Sequence, residues 1–106
     1  MLKKIYNEVT REWDTSVEEA LKSFIRLPAL SPDFDKKWEE NGVLLKALEE
    51  AKAWAEKQGI KGLRCEIIKD DGFTPCLFIE VDATSDKKFE RSVFFYGHLD
   101  KQPPNE

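Results

Sequence analysis

Residues 93–104 read Val-Phe-Phe-Tyr-Gly-His-Leu-Asp-Lys-Gln-Pro-Pro and say more about the fold than any other stretch of the chain. Four consecutive apolar residues, three of them aromatic, are typical of a strand buried on both faces. Gly97 frees the backbone after this run, and the two prolines prevent the strand from continuing. The pattern predicts a central strand over 92–97 whose end carries a functional loop.

His98, the only histidine, follows Gly97, and Asp100 lies two residues further on. In an extended segment these side chains leave the backbone on the same side, so we expect them to be neighbours. A lone histidine at a strand end is more often an ordinary solvated side chain. The nearby carboxylate favours a metal ligand instead, because it can orient the imidazole and raise its basicity.

The segment resembles the first metal-binding motif of the M20 family of zinc peptidases, which includes carnosine-type dipeptidases, aminoacylases and glutamate-releasing carboxypeptidases. That motif is a hydrophobic strand followed by Gly-His-x-Asp-x-Gln-Pro, and it is matched here by Gly97, His98, Asp100, Gln102 and Pro103. Residues 24–32 are similar to the Phe-Ile-x-Ile-Pro-x-x-Ser that ends a helix near the family's N-terminus. The resemblance spans nearly the whole chain.

The resemblance implies an α/β catalytic domain in which helices pack on a mixed sheet that begins with a β-hairpin. It implies two zinc ions as cofactors, with His98 as the first ligand of one zinc and Asp100 as the catalytic-site acid that steers its imidazole. The family's other ligands and its general base come later than residue 106. We therefore expect residues 1–106 to be the N-terminal portion of this domain, without its C-terminal half or the lid and dimerisation domain.

By the same resemblance, the intact enzyme would hydrolyse the amide bond of dipeptides or N-acyl amino acids. A catalytic zinc needs three protein ligands, so the 106-residue chain alone is expected to be inactive. The alternative is a naturally short, non-catalytic α/β module that binds a partner or self-associates through an open sheet edge. We expect a homo-oligomer.

Composition excludes several classes of protein. The 17 Lys and Arg residues against 21 Asp and Glu give a net charge of −4. This balance does not predict the basic surface that a nucleic-acid-binding protein needs. No stretch approaches a membrane span, and charged residues interrupt any N-terminal leader, so we expect a cytoplasmic protein. The five glycines are scattered, which excludes a phosphate-binding loop.

Helical periodicity predicts three helices before the sheet. The first is interrupted at 14–16, where Thr15 with Glu18, or Ser16 with Glu19, can form a capping box for the second. The second ends at Pro28, and the longest runs over 37–58 with Gly59 as its C′ residue. Their apolar stripes are expected to be ordinary core. The stripe of the first helix consists of Leu2, Ile5, Tyr6, Val9 and Trp13.

Two strands are predicted over 63–69 and 75–82, joined into a hairpin by the connection 70–74, in which residues 71–72 can form a two-residue turn. With that turn, Cys65 and Cys76 would be diagonal neighbours on one face, about 7–8 Å apart. That separation exceeds what a disulfide needs, so free, buried thiols are expected. A polar loop over 83–91 would then lead to the central strand.

Overall fold

The computed structural model describes residues 1–85 and 91–105. It combines helices with a two-stranded antiparallel sheet, on which one of the helices packs, and this is compatible with the α/β class. Within the described ranges, no helix combines the length and the apolarity needed to cross a membrane. The helices are α1 (Leu2–Glu12), α2 (Glu18–Arg26), α3 (Trp38–Asn41) and α4 (Val43–Glu56), and the strands are β1 (Leu63–Ile68) and β2 (Cys76–Val81).

A π-helical turn at Trp13–Val17 joins α1 to α2. The predicted break after the first helix is therefore wrong, and no side-chain cap begins α2. Instead of capping a new helix, the hydroxyl of Thr15 donates a hydrogen bond to the carbonyl of Arg11 at 2.7 Å. The end of α2 confirms the prediction from Pro28, because the residue before a proline avoids the helical conformation and Leu27 is extended.

The apolar stripe of α1 does not reach the core. Leu2 is 83% exposed, Tyr6 is 72% exposed, and no residue of α1 is buried. Among the described helices and strands, α1 contacts only the π-helical turn. The radius of gyration of 16.6 Å accordingly exceeds the about 13 Å of a compact chain of this size. The prediction of ordinary core packing is wrong for α1.

The core is centred on α4, which packs mainly on β1 and also contacts α2, α3 and β2. Leu44 and Ala47 pack with Ala29, and Ala29 and Ala47 are both fully buried. Leu48 and Ala55 are also buried on this helix. The predicted burial of the apolar stripe is therefore confirmed for these four residues of α4, whereas Trp54 of the same stripe is 38% exposed.

Gly42 interrupts the long helix predicted over 37–58. Its φ of +68° is in the left-handed region, which glycine adopts without steric cost, and it separates α3 from α4. The side chain of Asn41 accepts a hydrogen bond from the amide of Val43 at 3.0 Å and donates one to Asp35 at 2.6 Å. Gly59 has a φ of +65°, but α4 ends at Glu56 with Lys57 as its C-cap, so this glycine lies one position beyond the C′ site predicted for it.

The hairpin strands agree with their predicted bounds to within one residue at each end. The register differs, because Ile68 pairs with Cys76 and the loop comprises residues 69–75. A hydrogen bond from the amide of Phe73 to the carbonyl of Asp70, at 3.2 Å, closes a turn inside this longer loop. The predicted turn at 71–72 is therefore present, but it is not the whole connection between the strands, and the register that a two-residue loop implies is wrong.

The shifted register separates the two cysteines. Cys65 pairs with Ile79, so it lies on the opposite face of the sheet from Cys76. Both thiols are free, and neither is buried: Cys65 is partly exposed and Cys76 is exposed. The prediction of same-face, buried thiols is wrong, because one residue of register exchanges the two faces.

The open end of the hairpin is tied by Asp82, directly after β2. Its amide donates a hydrogen bond to the carbonyl of Gly62 at 3.2 Å, and its carboxylate accepts one from Arg64 at 3.0 Å. Gly62 has a φ of +79°, and a Cβ added there would lie 3.0 Å from the Cβ of Asp82. The close approach therefore requires glycine.

Residues 91–97 form no strand, so the predicted central strand and the mixed sheet are wrong for this structure. The side chains of Val93, Phe94, Phe95 and Tyr96 are 81–87% exposed. A strand needs hydrogen-bonding partners along its edge, and in the described part of the chain β1 and β2 pair only with each other. Residues 86–90 of the predicted polar loop lie outside the described residues.

Candidate metal centre

The side chains of His98 and Asp100 are neighbours, as their spacing predicts. Nδ1 of His98 lies 3.0 Å from Oδ1 of Asp100 and 3.0 Å from the backbone carbonyl oxygen of Asp100. Both oxygens are acceptors, so these contacts favour the tautomer with the proton on Nδ1 and the lone pair on Nε2. Histidines that bind metals have this arrangement, with one nitrogen held by an acceptor and the other bound to the ion.

The imidazole is open to solvent, since the side chain of His98 is 74% exposed. Water screens an ion pair at such a position, so the main effect of the carboxylate is on the tautomer and orientation of the ring. Together with Gly97 and Leu99, His98 also lines an open, mainly apolar groove of about 660 Å³. The groove lies between α2, α4 and β2, and its apolar lining includes Leu21, Phe24, Trp54, Leu77 and Ile79.

Lys101 attaches this segment to the end of α2. Its amide donates a hydrogen bond to the carbonyl of Ala29, and its carbonyl accepts one from the amide of Ser31, both at 2.9 Å. Its ammonium group donates to the carbonyl of Leu27 at 2.6 Å and to the carbonyl of Phe24. These last two carbonyls lie at the end of α2. Each also accepts a backbone hydrogen bond, Phe24 from the amide of Leu27 and Leu27 from the amide of Ala29, so the ammonium group uses the second lone pair of each oxygen.

The ammonium group also lies 4.1 Å from the centre of the Phe24 ring, within the range of a cation–π contact. Partial burial lowers the pKa of Lys101, because removal from water disfavours the charged form, while the charge of Glu50 acts in the opposite direction. The donors of Lys101 are thus directed at protein acceptors rather than at bulk water.

The two stretches that carry the M20 resemblance meet at this point, since Phe24 to Ser31 lie in the first and Lys101 lies in the second. Sequence reasoning missed Lys101. It occupies a variable position of the motif, and the carbonyls it binds lie 77 and 74 residues earlier. The one available signal was Pro28, which fixes where α2 ends and hence where the helix-end carbonyls lie.

The residues that follow His98 therefore fix its position. The expectation that a strand over 92–97 presents the imidazole at its carboxyl end is wrong, because that segment is exposed and has no regular structure.

The residues fit one zinc ligand and not a complete zinc site. An imidazole whose Nδ1 is bonded to a carboxylate is a common zinc ligand through Nε2. Across residues 1–85 and 91–105, no group of three or more His, Cys, Asp or Glu side chains is placed to hold a metal ion. His98 would hold zinc firmly only together with further ligands.

No protein-family model matches the chain, and a search of curated proteins finds no match. Membership of the M20 family therefore stays a prediction from the two stretches of sequence.

Proposed function

We propose that this chain carries the first metal-ligand motif of an M20-type zinc metallopeptidase, which hydrolyses the amide bond of dipeptides or N-acyl amino acids. His98 binds zinc through Nε2, and Asp100 orients the ring. The observation that supports this most is the 3.0 Å contact between Nδ1 and the carboxylate beside an exposed imidazole. When bound, the zinc pair activates a water molecule and polarises the substrate carbonyl.

In this proposal, residues 1–106 are the N-terminal portion of the catalytic domain of a cytoplasmic, homo-oligomeric enzyme. The remaining ligands and the general base come from other parts of that enzyme, because the described residues provide one ligand where a catalytic zinc needs three. The chain alone is expected to be inactive. Hydrolysis of dipeptides by the chain with zinc, abolished by His98→Ala, would contradict this expectation.

A zinc titration of the purified chain, followed by NMR at the His98 ring nitrogens, tests the ligand assignment. We expect zinc to shift the Nε2 resonance. Asp100→Asn should weaken binding about 10–100-fold, the usual effect of removing a group that orients a ligand. Asp71→Asn, in the exposed hairpin loop, is the matched control and should leave the affinity unchanged.

Two results would overturn the assignment. One is a zinc-induced shift at Nδ1 rather than at Nε2, since Nδ1 would then not be held by Asp100. The other is equal zinc affinity in the wild-type chain and in Asp100→Asn, which would show that the carboxylate does not support the ligand.

The second candidate function is a non-catalytic module that associates with another copy of itself. It is supported by the exposure of Val93–Tyr96, four adjacent side chains that an isolated chain would leave in water. Light scattering over a range of concentrations tests it. Dimers that dissociate in the double variant Phe94→Ser, Phe95→Ser are expected, and a wild-type monomer at every concentration would rule it out.

A further inference from the structure

We propose that Lys101 is the positioning residue for the His98–Asp100 pair, because its side chain fastens the segment that carries the pair to the C-terminal end of α2. The side chain is directed at α2 rather than at the imidazole, so it acts through its neighbour Asp100. Its relevance to zinc rests on the proposed function, whereas its effect on the imidazole requires no metal.

The residues before His98 give the ring no fixed position. Residues 91–97 have no helix or strand, and the four side chains from Val93 to Tyr96 are more than 80% exposed. At Gly97, an added Cβ would meet nothing within 4 Å. The orientation of His98 must therefore be set from the residues after it.

Lys101 is connected directly to the core of the molecule. Its amide is bonded to the carbonyl of Ala29, which is fully buried and packs with Leu44 and Ala47. Its ammonium group holds the carbonyls of Phe24 and Leu27 at the end of α2. One residue thus joins the loop to both the core cluster and a helix end.

Peptide geometry carries this restraint to the imidazole. The amide of Lys101 and the carbonyl of Asp100 belong to one planar trans peptide unit, in which the N–H and the C=O point in opposite directions. The N–H donates a hydrogen bond to the carbonyl of Ala29, and the C=O accepts one from Nδ1 of His98 at 3.0 Å. Holding the N–H against the core therefore aims the C=O at the ring.

The chemistry of the side chain suits this task. An ammonium group has three donors on a flexible stem, enough for two carbonyls, and its positive charge complements the negative end of the helix dipole. The contact with the Phe24 ring adds a cation–π attraction. Arginine can also donate to the same carbonyls, whereas methionine fills similar space and cannot donate a hydrogen bond.

The experiment reads the tautomer of His98 by long-range proton–nitrogen correlation in the metal-free, ¹⁵N-labelled chain at pH 8. The wild-type ring should carry its proton on Nδ1. In Lys101→Met, the ratio of this tautomer to the other should fall about tenfold, which corresponds to about 1.4 kcal/mol. The ratio should then approach that of a peptide of residues 96–102. Lys101→Arg should restore the ratio, and Lys61→Met, at an exposed lysine, should not change it.

A folded Lys101→Met chain with the wild-type tautomer ratio would overturn the inference. If that variant does not fold, the wild-type chain decides: a nuclear Overhauser effect between the Lys101 ε-methylene and the Phe24 ring is expected, and its absence would also overturn it. Both readouts are independent of zinc. If Lys101→Met shifts the tautomer ratio but zinc does not bind His98 in the wild-type chain, only the proposed function is rejected.

Discussion

Replacing Leu44 by alanine tests how the small core stabilises the chain. Leu44 is 4% exposed and packs against Ala29 and Ala47, so the substitution removes three carbons from a filled site. At about 0.8 kcal/mol for each buried carbon, the loss of burial is about 2.4 kcal/mol, and the remaining cavity brings the total to about 3–4 kcal/mol. Domains of this size are stable by only about 5–15 kcal/mol, so we expect a large fall in stability.

The matched control is Leu2→Ala, which makes the same chemical change on α1. Leu2 is 83% exposed, so its loss should change the free energy of unfolding by less than about 0.5 kcal/mol. Urea unfolding followed by circular dichroism at several protein concentrations measures both variants. Equal losses at the lowest concentration would refute the reasoning, because the α1 stripe would then be covered within a single chain.

Three further predictions concern the hairpin and α1. Gly62→Ala should destabilise the chain more than Gly72→Ala in urea unfolding, although both glycines have a φ of +79° and share a conformational cost of about 1–2 kcal/mol. Only at Gly62 would the new Cβ come within 3.0 Å of a neighbour, the aspartate that follows β2, so equal losses would show that this contact is relieved. Arg11 lies 2.5 Å from Glu8 and, by hydrogen bonding and charge, lowers the pKa of Glu8. The Glu8–Arg11 pair therefore stabilises α1 fully above pH 4.5, the ordinary pKa of the glutamate carboxyl. This stabilisation is lost as the pH falls through the lowered pKa of Glu8 in the folded chain. An acid titration of helix content should show this loss in the wild-type chain but not in Glu8→Gln, and identical titrations would contradict it. Mild oxidation should give disulfide-linked dimers that Cys76→Ser abolishes, because the two thiols lie on opposite faces; an intrachain disulfide on a non-reducing gel is the contrary result.

Local sequence signals predicted the features that depend on a few neighbouring residues. Pro28 ended α2 because proline restricts the residue before it, and Gly59 adopted a positive φ because glycine has no Cβ to oppose it. The contact between His98 and Asp100 followed from their spacing of two residues. Each of these features depends only on residues that are close together in the sequence.

Features that depend on distant partners were not predictable from the same signals. The apolar run at 93–96 has the composition of a buried strand, but composition does not specify which edge it would pair with. The bond from Lys101 to the carbonyl of Phe24 spans 77 residues and exists only once α2 and the motif have packed together. The predicted register of the hairpin was wrong because the loop is longer than two residues, and a tight-turn signal does not indicate the length of the whole loop.

The π-helical turn at Trp13–Val17 affects how this part of the chain tolerates changes in length. Such a turn accommodates about one residue more than an α-helical turn. Deleting one residue there would leave an ordinary α-helix, and the apolar sides of α1 and α2 would keep nearly their present directions. The same deletion in the middle of α2 would rotate everything before it by about 100°, the angle between successive residues. Divergent sequences should therefore gain or lose a residue at this turn more readily than elsewhere in the helix.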